Sequence, residues 1–545
     1  MKNSSFFKIA LIALAVALYS CSDKDDNPVD EISEELIIKS YADAANIVKG
    51  LLKAQSPGSG LSFIAETLSE GTVSFEGEET SDGPLVSRFD IQPNNYYVGA
   101  QWAKLYPAIA SANEAIEKIS AIAAGAAADG YVLTEVGKNT ALGGLYFVRG
   151  LSYFYLVRLH GKVPLYTTSA ASKAGQGVPA EVNAIYTQIE ADFKKAEELL
   201  PTSTGGVKTV PSKYAAEALL ARVYLTWAQY SAEGDLDATP ADQTKLNNAV
   251  TYADKVINSG QYSLLDDFTK NWGRNNKNGQ EHIYNQSYVV GDAGPGDGGN
   301  HQSHCAFSYG FDADPNTQPA HIGPSSYSLY TGWDGGRAGN DIDQRREFSY
   351  TAHLLKPGTT QVYEFLPATG WLPLFGKGID RSFPTGPIDG PTERDLDRIE
   401  IRYADVLLIK AEALIELNRD LGAARDLINQ VRRRAYIQAD DPTAYDVTAT
   451  TQAELRTAVR EEIKHEFVYE QRRWFDLVRW HTLVKTVQTV STFPEYSATP
   501  AAGTFFAKLK THLQARYTAV TGSGTKYYTL PYPETATASN PNLKN

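Results

Sequence analysis

The chain is short of cysteine, of positive charge and of long apolar runs. Only Cys21 and Cys305 occur among 545 residues, which excludes a scaffold held together by several disulfides. Lys and Arg number 51 against 64 Asp and Glu, a formal charge of −13. That acidity opposes a phosphate backbone, whose binding relies on neutralisation by basic side chains, and so argues against a nucleic-acid partner. Beyond the first twenty residues no stretch is apolar for long enough to cross a bilayer. Strand-like alternation is scarce, and helical periodicity dominates. What is plentiful is apolar and aromatic: 42% hydrophobic residues, with 32 Tyr, 20 Phe and 7 Trp. Such a chain can bury a sizeable core, as two or three domains or as one extended array.

The N-terminus is the most directly readable segment. Lys2 and Lys8 precede and punctuate the apolar stretch FFKIALIALAVALYS, which ends at Cys21. It is too short for a stable span of ~30 Å of hydrocarbon and fits the central region of an export signal. Leu18 and Ser20 before Cys21 resemble a bacterial lipobox, with Tyr19 bulkier than usual at its position. The resemblance implies residues 1–20 as signal peptide and lipidation at Cys21, which leaves Cys305 without a disulfide partner. Residues 21–35, including SDKDDNPVDEISEE, read as an acidic tether and resemble the surface-export signal of Bacteroidetes lipoproteins.

Helical patterns cover about 94–123, 139–160, 181–200, 211–230 and 242–259, then 400–418, 420–436, 451–471 and 473–488. Two helix pairs look like copies of one another. ALLARVYLTW (218–227) precedes NAVTYADKVINSGQYSLL (248–265), and VLLIKAEALIELNRD (406–420) precedes LGAARDLINQVRRRA (421–435). Small Ala residues among large aliphatics let a neighbour approach closely, which is the pattern of a tetratricopeptide helix hairpin. Between 271 and 398 the helical signal gives way to Gly and Pro clusters, and 71–93 is loop-like too. The expectation is an all-α, tetratricopeptide-like helix-pair scaffold with large irregular loop insertions that do the binding. Its regions are 36–270, a helical first part, and 271–545, a second part with the insertion 271–398 and closing helices at 399–490.

Several stretches together resemble one family. LYFVRGLSYFYLVRLHGKVPLY (145–166), with its turn at Gly161, Val163, Pro164 and Leu165, is similar to the aromatic helix of SusD/RagB lipoproteins. So are VPSKYAAEALLARVYL (210–225), RIEIRYADVLLIKAEALIEL (398–417) and the Asn-Pro-Asn-Leu of the tail (540–543). A further signature holds Glu462, Glu466, Glu470, Arg473, Trp474, Phe475, Asp476, Leu477, Arg479 and Trp480, with departures at Ile463 and Gln471. The resemblance implies a non-catalytic lipoprotein on the outer membrane, facing the cell exterior, that binds oligosaccharide or polysaccharide and hands it to a SusC-like TonB-dependent transporter. A peptide-binding, RagB-like receptor is the alternative, and an α-helical glycoside hydrolase a further one.

The charged signature is also the busiest chemistry in the chain. Val459, Ile463, Phe467, Trp474 and Val478 recur at helical spacing and predict one buried face. Glu470 with Arg473, and Asp476 with Arg472 and Arg473, are spaced to pair locally. A catalytic reading would make Glu466 or Glu470 a general acid. Sugar binding instead needs aromatic faces for C–H groups and polar side chains for hydroxyls. Trp333, with Tyr330, Asp334, Arg337 and Asn340, has that mixture, and Trp371 is a second aromatic candidate. Glu79, Asp82 and Arg88 in the early loop, with Tyr96 and Tyr97 just beyond, complete the candidates. The bland reading of each aromatic is a buried loop anchor; Trp102 and Trp272 fit core positions. His301, His304, Cys305 and His321 follow no common zinc spacing. Asp292 and Asp297, with Asp312 and Asp314, are candidates for a structural calcium outside the twelve-residue loop pattern; no other cofactor is expected.

Overall fold

The computed structural model describes residues 41–55, 58–69, 72–74, 82–123, 125, 127–128, 131–230, 241–273, 276–287, 322–324, 333, 341–351, 353–355, 362–364, 374–377, 397–490 and 505–544. Seventeen helices fall among them: α1 Tyr41–Ala54, α2 Gly58–Thr67, α3 Asp82–Ser87, α4 Tyr96–Ala121, α5 Glu135–His160, α6 Ser169–Ala174, α7 Val182–Leu199, α8 Lys213–Tyr230, α9 Gln243–Asn258, α10 Gln344–Ser349, α11 Tyr403–Glu416, α12 Leu421–Ala435, α13 Gln452–Glu466, α14 Arg473–Arg479, α15 Leu483–Val490, α16 Phe505–Val520 and α17 Glu534–Ser539. The described strands form only two-stranded antiparallel pairs. The fold is all-α, as the periodicity predicts.

Local signals explain where the helices begin. Asn95, Thr134 and Asp242 accept backbone N–H groups at the starts of α4, α5 and α9. Thr451 and Glu454 form a reciprocal capping box on α13. Each satisfies donors that the first helical turn leaves unbonded. Gly161, at φ +70°, closes α5 in a backbone conformation that side chains with a Cβ resist.

Helix α5 is the central rod, buried along almost its whole length, which accounts for its aromatic and aliphatic richness. It packs on α4, α7 and α1. Its small residues set those distances: a Cβ at Gly144 would stand 2.5 Å from Val48 Cγ1, and one at Gly143 2.9 Å from Leu200 Cγ. From α5 the stack continues through α7, α8 and α9, and α9 then packs on α11. The two helix pairs that look alike in sequence are therefore neighbours, although residues 259–402 separate α9 from α11 in the chain.

A strand pair shows how so large an insertion is accommodated. His282–Gln286 pairs antiparallel with Arg398–Arg402, and both strands are wholly buried. Tyr403 N donates to the Glu281 carbonyl at 2.8 Å. The insertion thus leaves and re-enters the scaffold at one place. Residues 38–545 make up a single compact unit.

Two expectations change. The early stretch 71–93 is not all loop, since it holds the strand Thr72–Ser74 and α3. The helix expected over 451–471 stops at Glu466, with Tyr469 (φ +58°) and Gln471 (φ +60°) turning the chain before α14, and the helix expected over 473–488 is two, α14 and α15, parted at His481 (φ +56°).

Candidate ligand-binding site

Asp82 and Tyr96 are brought together by helix capping. One Asp82 carboxylate oxygen accepts from Tyr96 N at 3.1 Å, and the Asp82 carbonyl accepts from Asn95 Nδ2 at 3.0 Å. Asn95 Oδ1 in turn accepts from Tyr97 N at 3.0 Å. An anionic acceptor at the start of a 26-residue helix is favoured by the helix dipole as well as by the hydrogen bond. Asn95 is a member of this arrangement that the sequence reading passed over, although an Asn before an amphipathic run is an N-cap signal.

The arrangement leaves Tyr96 53% exposed, with its ring edge-on to Tyr97 at 5.3 Å. The segment beneath it is fixed from several sides. Phe89 is buried at φ +63° and meets Tyr527 edge-on at 5.1 Å. Ser87 Oγ lies 2.9 Å from His512 Nε2 of α16, and Glu534 N donates to the Pro93 carbonyl at 2.9 Å. Arg88, half-buried, adds its charge to the surroundings of His512. An exposed aromatic ring on a rigid base, beside a carboxylate, can pack on a sugar's C–H face without paying much ordering entropy.

Trp333 has the opposite fate. It is 7% exposed, its ring stacks on His465 at 4.4 Å and meets Tyr350 edge-on, and its Nε1 donates to Asp343 at 3.0 Å. It is a buried anchor and offers no open platform. Trp272 packs with Phe268 and Phe348 in the core, as expected. Trp102 is only half-buried, among Tyr106, His160 and Tyr532. Tyr330, Asp334, Arg337, Asn340, Trp371 and Glu79 lie outside the described residues, as do Cys21, Cys305, Asp292, Asp297, Asp312, Asp314, His301, His304 and His321. Among the described residues, no group of three or more His, Cys, Asp or Glu side chains is placed to hold a metal ion.

Trp333 opens onto a buried ionic network that ties the insertion to the closing helices. Arg345 contacts Asp343 (2.7 Å), Glu462 (2.7 Å) and Glu466 (2.8 Å). Arg402 contacts Glu281 and Glu466 at 2.6 Å and Glu470 at 2.9 Å, while Arg434 reaches Glu281 and Glu466. Lys377 takes Glu470 at 2.7 Å. Of the expected local pairs, Asp476 with Arg472 is present; Asp476 also takes Arg479, and Glu470 pairs across the molecule with Lys377 and Arg402. Burial alone would raise the Glu466 carboxyl, but Arg434, Arg402 and Arg345 outweigh it and hold it well below the usual carboxylate range. An inaccessible, firmly ionised carboxylate cannot donate a proton to a leaving group, so Glu466 is structural.

Comparison with known proteins decides the family. Residues 333–545 match the model of the SusD family, and residues 27–225 match a model described as starch-binding, associating with outer membrane. The chain belongs to the SusD family. SusD-like protein P2 of Formosa agariphila is 28% identical over 87% of this chain and 90% of its own length. A SusD-like protein of Bacteroides ovatus is 24% identical over 73% of this chain and 68% of its own. Among solved structures, a SusD homologue from Bacteroides thetaiotaomicron aligns with a TM-score of 0.76 at 22% identity, covering 94% of this chain and 99% of that one. A SusD-like carbohydrate-binding protein from Bacteroides fragilis aligns at 0.68 with 19% identity, over 93% and 99%. SusD membership supports glycan binding and association with the outer membrane. It also explains why the charged stretch is so distinctive: in this SusD-family chain it is the ionic centre of the scaffold.

Proposed function

We propose that this protein is a surface-exposed lipoprotein, anchored through Cys21, that captures oligosaccharide or polysaccharide without cleaving it and passes it to a SusC-like TonB-dependent transporter. SusD-family membership supports the ligand class, and the lipobox-like end with its acidic tether supports the anchor. The observation that carries the glycan reading on this chain is Tyr96, an exposed ring held in place by Asp82 and Asn95. Of the two carboxyl groups a catalytic reading would use as general acid, Glu466 is buried and held ionised and Glu470 is paired with Lys377 and Arg402, which supports a binding role over hydrolysis.

Isothermal titration of the soluble chain against a panel of plant, host and microbial glycans tests the reading. At least one glycan is expected to bind, and Tyr96→Ala is expected to weaken it about 5- to 20-fold, the loss of one aromatic contact. Binding to peptides with none to any glycan, or release of reducing sugar by the purified protein, would overturn it.

A further inference from the structure

The exposed ring of Tyr96 stands beside carboxylates that no cation neutralises. Asp82 Oδ2 accepts from Tyr96 N at 3.1 Å, whereas Asp82 Oδ1 takes part in no hydrogen bond and stays open to solvent. Oδ1 shares its carbon with Oδ2, so it sits against the residue whose ring is exposed. Asp90 belongs to the same segment. Its N donates to the Leu85 carbonyl at 2.9 Å, within one turn of Asp82 on α3, and its exposed carboxylate accepts from Gln92 Nε2 at 2.7 Å. Among the described residues, neither Asp82 nor Asp90 forms an ion pair.

The cations of this region are placed elsewhere. Arg88 is half-buried and its charge bears on His512 of α16. The first cation of α4, Lys104, follows Tyr96 by two turns, about 12 Å along the axis and more than a Debye length in physiological salt. The start of a helix otherwise favours negative charge, through its dipole and its unbonded N–H groups. At α4 that place is already filled, since Asp82 accepts from Tyr96 N and Asn95 accepts from Tyr97 N. A carboxylate or sulfate on a ligand would meet like charge where it needs donors. A sugar hydroxyl meets the opposite situation. An ionised carboxylate only accepts hydrogen bonds, and those it accepts from hydroxyls are among the strong ones. A sugar whose C–H face rests on the Tyr96 ring, 53% exposed, can turn a rim hydroxyl to Oδ1.

We propose that the Tyr96 site selects uncharged sugars with free hydroxyl groups and rejects glycans that carry carboxylate or sulfate at the bound residue, with Asp82 as the residue that sets the preference. The inference rests on the glycan-binding reading of this site and narrows it to one ligand class.

Isothermal titration of the wild-type chain against neutral, uronate-bearing and sulfated oligosaccharides tests it. The tightest binder is expected to be neutral. The same oligosaccharide, oxidised at its primary hydroxyls to carboxylates, should bind about 10-fold more weakly or worse in low salt, and the gap should shrink in about 0.5 M NaCl. Asp82→Asn keeps an oxygen for Tyr96 N but loses the charge. It should weaken binding of the neutral glycan about 3- to 10-fold and close most of the gap. An anionic glycan as the tightest binder, or a preference unmoved by both salt and Asp82→Asn, would overturn the proposal and leave glycan binding itself standing. Binding to no glycan would remove the glycan reading and this inference with it. Should Asp82→Asn fail to fold, the salt dependence of the wild-type preference decides.

Discussion

Glu217 on α8 is buried beside Glu197 of α7, and the two carboxyl groups share a hydrogen bond. Burial, then the charge of Glu197, pushes the Glu217 carboxyl up to about 7, with Lys213 and Lys255 opposing the rise. A carboxyl whose folded pKa is raised binds its proton more tightly in the native state than in the unfolded chain. Its stabilising contribution is therefore complete below the unfolded value near 4.5 and is lost as pH climbs through about 7. The melting temperature should fall by about 1–3 °C across that window on this account. Glu217→Gln, which mimics the protonated form, should flatten the fall, and differential scanning calorimetry between pH 5 and 8 would show whether it does. Single residues were also where sequence reading was weakest. Trp333 and Tyr96 both stand among polar neighbours in the sequence, yet one ring is sealed against His465 and the other faces solvent. Exposure of one side chain is set by what folds over it, and the chain's local pattern does not encode that.

The closing helices show what pairing across elements contributes. Arg402 joins the strand that re-enters from the insertion to Glu281 just before its partner strand, to Glu466 at the end of α13 and to Glu470 beyond it. Arg402→Leu would leave those carboxylates buried with too little compensating charge, and a loss of about 3–5 kcal/mol is expected. Chemical denaturation of the purified variant would measure it. Lys194→Ala, which removes an exposed pair with Glu190 at 2.5 Å on α7, should change stability by less than ~1 kcal/mol in the same assay. Similar losses from the two variants would refute the distinction. Most helices were legible from apolar spacing, to within a few residues at each end. The break before α14 was legible at 472, but the one between α14 and α15 was not, because that turn rests on His481 (φ +56°) rather than on glycine or proline.

At the scale of the whole molecule, the C-terminal tail clasps the first helices. Leu530 N donates to the Leu159 carbonyl at 2.7 Å, and Tyr532 Oη donates to the Lys162 carbonyl at 2.7 Å. Asn540 Nδ2 donates to the Gly177 carbonyl at 2.8 Å, and Glu534 N reaches Pro93, three residues before Tyr96. Each such bond is worth about 0.5–1.5 kcal/mol net, and Leu530 and Leu543 add buried apolar surface. Ending the chain after Thr525 should lower the melting temperature by roughly 2–6 °C. It should also weaken glycan binding by freeing the base of Tyr96. An unchanged melting curve and unchanged affinity would show that the tail is not a clasp.

The sequence by itself determined the helical class, the kinship of the two helix pairs and the family, because periodicity and ordered motifs are written along the chain. It marked Asp82 and Tyr96 as candidates but did not show that one caps the helix bearing the other. Only the tertiary structure decided which charges meet: Arg345 and Glu466 are 121 positions apart, and Arg402 and Glu281 the same distance. Ion pairing depends on distance through space and on the exclusion of water, and both exist only after the helices have packed.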